Sequence, residues 1–265
     1  MYLPQELLDE IMGYLSPYGT RSLRDCSLVA KSWVHPSRRR LFEKIDVQRL
    51  IYFRLWVKNI SPTNVELLQH VRSLSCGIYD AGDPTHDPTD PVNFLRDYSP
   101  SLRRLRRLNL FFGRLVSFTQ IGTPSAFQHS LSHLSLWRSD VKISALVTLV
   151  NYFPNLARLD LTDLSCEADD QPTPPLSRPL RKLSIAEFYT RNSLGLLDQL
   201  LGLRPQCEEV TINVMFVPSP SLAQRVIDGV EESIKYLRIK RGLEGASYVS
   251  NICYTVTERT AAVLL

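Results

Sequence analysis

Few residues in this 265-residue chain stand at spacings that chemistry could use. His129 and His133 are four apart, which makes a metal pair only when both lie on one helix. Here they lead into Leu134-Ser135-Leu136, a strand-like triplet, so both read as turn or surface histidines. Asp83, His86, Asp87 and Asp90 crowd a proline-broken stretch without the ligand spacing of a cation loop. Asp169-Asp170 has no evident partner acid. There is no phosphate-cradling GxxxxGK[ST], no GxGxxG after a strand and no GxSxG elbow. Cys26, Cys76, Cys166, Cys207 and Cys253 are scattered without a CxxC pair, the usage of reduced thiols. The expectation is a protein that is not an enzyme and takes no cofactor and no metal.

Charge narrows the partners. The 31 basic and 27 acidic residues leave a net charge of +4, too small an excess for a nucleic-acid footprint. Arg38-Arg39-Arg40 and the pairs Arg103-Arg104 and Arg106-Arg107 read as solvated faces, with phosphate binding or nuclear import as the alternatives. Glu6, Asp9 and Glu10 stand where a secretory signal would need an apolar core. No uncharged apolar run approaches the roughly 18–20 residues that span a bilayer. The expected location is cytoplasmic, nuclear or both, with no membrane partner.

Behind these residues stand two kinds of element. Residues 4–15 predict an amphipathic helix, with Pro4 and Glu6 suited to its first turn. Leu7, Leu8, Ile11, Met12 and Leu15 form one apolar stripe, and Ser16-Pro17-Tyr18-Gly19 stops it. A second helix is predicted from Thr20 to Ala30, carrying Leu23, Cys26, Leu28 and Val29. A basic third segment with Trp33 and Leu41-Phe42 is expected to break at Pro36. Units below about 40 residues rarely enclose their own apolar surface, so part of this one needs a partner or the rest of the chain.

The ordered set Leu3-Pro4-Gln5-Glu6-Leu7-Leu8, Ile11, Leu15, Leu23 and Cys26-Ser27-Leu28-Val29-Ala30-Lys31-Ser32-Trp33 resembles an F-box. It keeps LP-x-EL, I-x3-L and a small-LV-x-x-SW element in sequence over residues 2–45. The following His35-Pro36-Ser37-Arg38-Arg39-Arg40-Leu41-Phe42 is similar to F-box proteins of mushroom-forming fungi. The resemblance implies three helices docking on a Skp adaptor, and through it a cullin. The positions it implies for that contact are Leu3, Pro4, Leu7, Ile11, Leu15, Leu23, Leu28, Val29 and Trp33. Leu8, Met12 and Cys26 are assigned to the internal core.

From residue 45 an apolar-x-apolar unit returns at intervals of 24 to 34 residues. Its members are Ile45-Asp46-Val47, Leu74-Ser75-Cys76, Leu108-Asn109-Leu110, Leu134-Ser135-Leu136, Leu159-Asp160-Leu161, Leu183-Ser184-Ile185, Val210-Thr211-Ile212 and Leu237-Arg238-Ile239. Helical faces lie between them, at Ile143-Leu146-Val147-Val150, Leu194-Leu197-Leu200-Leu201 and Leu222-Val226-Ile227-Val230-Ile234. Phe153-Pro154-Asn155-Leu156 before Leu159 resembles the turn-into-strand phrase of leucine-rich repeats, although their regular asparagine is missing. The expected fold is α/β: a three-helix F-box, residues 1–45, then an irregular leucine-rich-repeat-like α/β solenoid, residues 46–265.

Alternation along each strand sends the residue between and the residue after the apolar pair outward, onto a concave face. That predicts a target-binding surface with Phe111 and Trp137 at its centre and Asn109, Ser135 and Asp160 beside them. The function implied is a substrate-recognition adaptor of an SCF-type (Skp, cullin, F-box) ubiquitin ligase, binding an unknown target protein. A non-ligase interaction scaffold, or helices that merely cap the array and bury Leu3, Ile11 and Trp33 against it, are the alternatives. The tail, Glu258 to Leu265, reads as a truncated repeat or a segment tucked back on the array.

Overall fold

A computed structural model describes residues 4–15, 20–47, 65–77, 95–111, 126–137, 140–167, 173–187, 200–201, 205–214, 226, 228–229, 234–241, 250–257 and 260–264. The chain is mixed α/β: three N-terminal helices precede a ten-stranded sheet that is parallel over its first eight strands.

The helices are α1 (Gln5–Leu15), α2 (Thr20–Val29) and α3 (Lys31–Leu41). Leu8 donates its amide to the Pro4 carbonyl at 3.2 Å, so Pro4 serves in the first turn as its position predicts. Leu8, Met12 and Leu23 are buried at 0 to 2 % exposure and make the small core of this unit. The expected break at Pro36 does not occur, because α3 runs through it. The ring removes one backbone donor, but Pro36 and Ser37 are both buried, and the Ser37 hydroxyl lies 3.4 Å from Met12 Sδ. Packing against α1 therefore offsets the missing bond. Arg38, Arg39 and Arg40 fill the last turn, where positive charge suits the helix dipole.

The sheet holds β1 (Lys44–Val47), β2 (Ser73–Gly77), β3 (Arg107–Phe111), β4 (His133–Trp137), β6 (Arg158–Thr162), β8 (Leu180–Glu187), β9 (Cys207–Val214) and β10 (Tyr236–Arg241), in that spatial order. Each of the eight expected triplets is a strand, and each pairs with the next in the register of its apolar residues. Ile45, Leu74, Leu108, Leu134, Leu159, Leu183, Val210 and Leu237 make one buried row across eight strands. Val47, Cys76, Leu110, Leu136, Leu161, Ile185 and Ile212 make a second. A slip of one residue anywhere would turn a strand's leucines out to the opposite face, so the pattern fixes the register. Because β1 starts at Lys44, the expected boundary between residues 45 and 46 falls inside a strand.

The starting ends of the first five strands are tied by carbonyls that each accept two amides. Glu43 takes Arg72 and Ser73, Arg72 takes Arg106 and Arg107, Arg106 takes Ser132 and His133, and Ser132 takes Ala157 and Arg158. The turns that open successive strands are thereby held side by side.

Parts of the segments between the strands are described. A 3-10 turn, Val65–His70, precedes β2, and the helix α4 (Ile143–Tyr152) buries Ile143, Leu146, Val147, Leu149 and Val150 as its spacing predicts. Two short strands, β5 (Asp140–Lys142) and β7 (Ser165–Glu167), pair in a separate parallel ribbon. After β6 the chain turns through Asp163 at φ 50°, a left-handed conformation that aspartate tolerates, with its amide on the Ala186 carbonyl at 2.8 Å. Gly229 is required by proximity: a Cβ there would stand 2.6 Å from Leu201 Cβ. The other two expected helices lie largely outside the described residues, as do Leu3, the 78–94 stretch and Asp169-Asp170.

The tail corrects the repeat. Residues 250–257 and 260–264 are strands β11 (Ser250–Thr257) and β12 (Thr260–Leu264), antiparallel to β10 and to each other. Residues 260–264 therefore turn back and pair with β11, which makes the tail a hairpin strand and not a truncated parallel repeat.

Candidate functional site

Two surfaces carry the residues singled out by the sequence, and they are built on opposite principles. The first lies on the helices. A helix exposes one stripe when a neighbour covers the other, and here Leu8, Met12 and Leu23 take the covered side. That leaves Leu28 84 % exposed, Val29 67 % and Leu7 46 %, with Pro4 exposed as well. Ile11, Leu15 and Trp33 are half-buried, and Cys26 is half-buried rather than part of the core. Leu23 packs inside the unit and does not join the exposed stripe. Tyr14, 70 % exposed, stands seven residues after Leu7 and three after Ile11, on the same helix face, although the stripe read from leucine, isoleucine and methionine leaves it out.

The second surface is the face of the sheet opposite the leucine rows. Pairing aligns Ser75, Asn109, Ser135, Asp160, Ser184, Thr211 and Arg238 in one row. Phe111, Trp137, Thr162, Ala186 and Asn213 form the next. Phe111 and Trp137 meet as expected, ring centroids 5.1 Å apart and tilted by 51°, each half-buried. The exposure expected of the whole face is corrected. Ser135, Thr162, Ala186 and Thr211 are buried at 5 to 7 %, because short side chains between strands about 4.8 Å apart sit below their long neighbours. Trp137 Nε1 donates to Ser135 Oγ at 3.0 Å, and Asn109 Nδ2 donates to Ser75 Oγ at 2.9 Å. Polar demand is thus mostly met within the face itself.

Asp160 is the electrostatic centre of that face. Its carboxylate lies 2.7 Å from His133 Nε2 and 2.9 Å from the Arg158 guanidinium. Burial works against the charge, but the hydrogen bonds from His133 and Arg158, with their charges, outweigh it and hold the pKa below the usual carboxylate value. Glu209 repeats the device two strands away, with Lys182 at 2.7 Å and Arg238 at 3.7 Å, and its pKa is likewise lowered against the cost of burial. His133 is thus hydrogen-bonded to Asp160, while the His129 carbonyl accepts from Asn155 Nδ2 at 2.6 Å. Thr211 Oγ1 and Asn213 Oδ1 are buried without a hydrogen-bond partner among the described residues. The row that carries His133, Arg158, Lys182 and Glu209 escapes sequence reasoning, although each residue stands directly before a strand triplet.

Among the described residues no group of three or more His, Cys, Asp or Glu is placed to hold a metal ion, and no helix is long and apolar enough to cross a membrane. Burial pushes the Cys76 and Cys207 thiols up to about 12, which keeps both as inert packing groups. No protein-family model matches the chain, and no curated protein matches it.

Proposed function

We propose that the protein is the substrate-recognition adaptor of an SCF-type ubiquitin ligase, an F-box joined to a leucine-rich-repeat-like solenoid. In this reading the helices bind a Skp adaptor, and the outer face of the sheet around Phe111 and Trp137 binds a target protein. The observation that carries it is the exposure of Leu28, Val29 and Leu7 on a unit whose own core is only Leu8, Met12 and Leu23. Apolar side chains this open, at three positions of one ordered motif, favour a partner surface. The capping alternative needs Ile11 and Trp33 buried against the array, and both are only half-buried.

The mechanism is proximity. One end holds the ligase core and the other holds the target, so a second encounter becomes intramolecular and ubiquitin transfer by other subunits is accelerated without bond chemistry here. Co-expression with a Skp adaptor tests it. The parent chain should co-purify with the adaptor, and Leu28→Glu with Val29→Glu should abolish capture while leaving the melting temperature unchanged. A stable parent chain that captures no adaptor overturns the reading. If the adaptor is captured, absence of a cullin from the complex assigns the protein to a scaffold instead.

A further inference from the structure

The two basic clusters of the sequence, Arg38-Arg39-Arg40 and Arg103 to Arg107, converge at one rim of the fold. The doubly accepting carbonyls set Glu43, Arg72 and Arg106 side by side just before successive strands, so Glu43, after the end of α3, and the turn before β3 are about 10 Å apart, two strand steps. Between them stands His70, from the 3-10 turn Val65–His70, its ring 5.6 Å from that of His35 on α3 and nearly perpendicular to it. His70 Nδ1 is buried without a partner among the described residues. Burial first, then the charges of His35, Arg104 and Arg39, hold the His70 pKa below its ordinary value.

Counter-charge is scarce there. Arg39 has Asp9 at 3.6 Å, and Glu43 is divided between Arg40 at 3.0 Å and Arg72 at 3.3 Å. Arg104, Arg106 and Arg107 are exposed and have no ion pair among the described residues. Further along the sheet, from β6 to β9, the acids Asp160, Glu208 and Glu209 each contact two basic groups. Among the described residues, Arg104, Arg106 and Arg107 thus add unpaired positive charge to the rim beside α3.

We propose that this rim is a phosphate-binding site, in which Arg39 and Arg104 hold the dianion between them with His35 and His70 behind. The ligand is a phosphoryl group, carried by a partner protein or by a free polyphosphate. Guanidinium forks match phosphate oxygens in pairs, and a phosphoryl dianion brings more charge and more acceptor oxygens to a cluster of cations than one carboxylate does. The site shares no residue with the aromatic pair and does not depend on the adaptor reading.

Calorimetric titration of the full chain at physiological salt tests it, with tripolyphosphate, a phosphoserine peptide and the same peptide unphosphorylated as probes. Saturable binding of either phosphate probe, and none of the bare peptide, is expected; whichever probe binds more tightly identifies the source. Arg39→Gln with Arg104→Gln should weaken binding about tenfold or more. Arg181→Gln with Lys235→Gln removes equal charge from the far end of the sheet and should change it less than about twofold. Arg104→Gln alone repeats the test without touching the Arg39–Asp9 pair, and its melting temperature reports the fold. No binding of either phosphate probe, equal losses in the two double variants, or unchanged binding by Arg104→Gln overturns the proposal.

Discussion

The helices and the sheet use leucine in opposite ways. Across the sheet, leucines stack from strand to strand and vanish from solvent, as Leu74, Leu134 and Leu110 do at 0 % exposure. On the helices the same residue type is left open at Leu28 and Leu7. A sheet of in-register strands gives every inward side chain a neighbour on both sides. Three helices of about ten residues cannot do this, because each one's apolar stripe is wider than its two neighbours can cover. The lesson is that apolar content alone does not separate core from contact surface; the number of neighbouring elements does.

Substitutions that exchange the two environments test the contrast. Leu134→Ala, in the middle of the buried row, should cost about 2–5 kcal/mol in urea unfolding, the range for a leucine deletion that leaves a cavity. Gly229→Ala should cost about 1–3 kcal/mol, because the added methyl meets Leu201 and the crossovers must separate. Asp160→Asn should cost about 1–3 kcal/mol near neutrality, since His133 and Arg158 lose their shared acceptor charge. Its pH dependence has a fixed sign. A carboxylate whose folded pKa is depressed stabilises fully above its unfolded value of 3.8 and loses that stabilisation as pH falls through the folded value. The gap between parent and Asp160→Asn should therefore narrow as pH falls below 3.8, as read by unfolding at several pH values. Leu28→Ala, open to solvent, should have the smallest effect, less than about 0.5 kcal/mol in urea unfolding. A cost equal to that of Leu134→Ala would mean that Leu28 is covered in solution.

How much of this was legible follows from what a one-dimensional pattern can encode. The eight parallel strands were readable because Leu-x-Leu has a period of two and only one face is buried. The contact of Phe111 with Trp137 followed at once, since both stand one place after their triplets in aligned strands. Depth did not follow. Alternation assigns Ser135 and Thr211 to the outer face but says nothing of the long side chains beside them, and both are buried. Leu23 belongs to the motif and still packs inward, because motif membership does not choose between internal and external contacts. The pairing of His133 with Asp160 joins neighbouring rows on neighbouring strands, a diagonal that register reveals and spacing hides. The closing hairpin was hidden for a different reason: Ile252, Tyr254 and Val256 alternate well, but they fall outside the recurring triplet and reverse direction.

The sheet's spatial order repeats its order along the chain, apart from the two strands set aside in the small ribbon. Seen as a mechanical object, such a sheet has its first and last strands at opposite edges, and tension applied through them acts across the ladder rather than along it. Hydrogen bonds then break strand by strand, like a seam opening from its end. Each parallel strand released frees about 25 residues, a length of about 80 Å when extended. The molecule should lengthen under load in a staircase of similar steps, and would be threaded by an unfoldase piecewise, with the remaining strands still paired behind the advancing end.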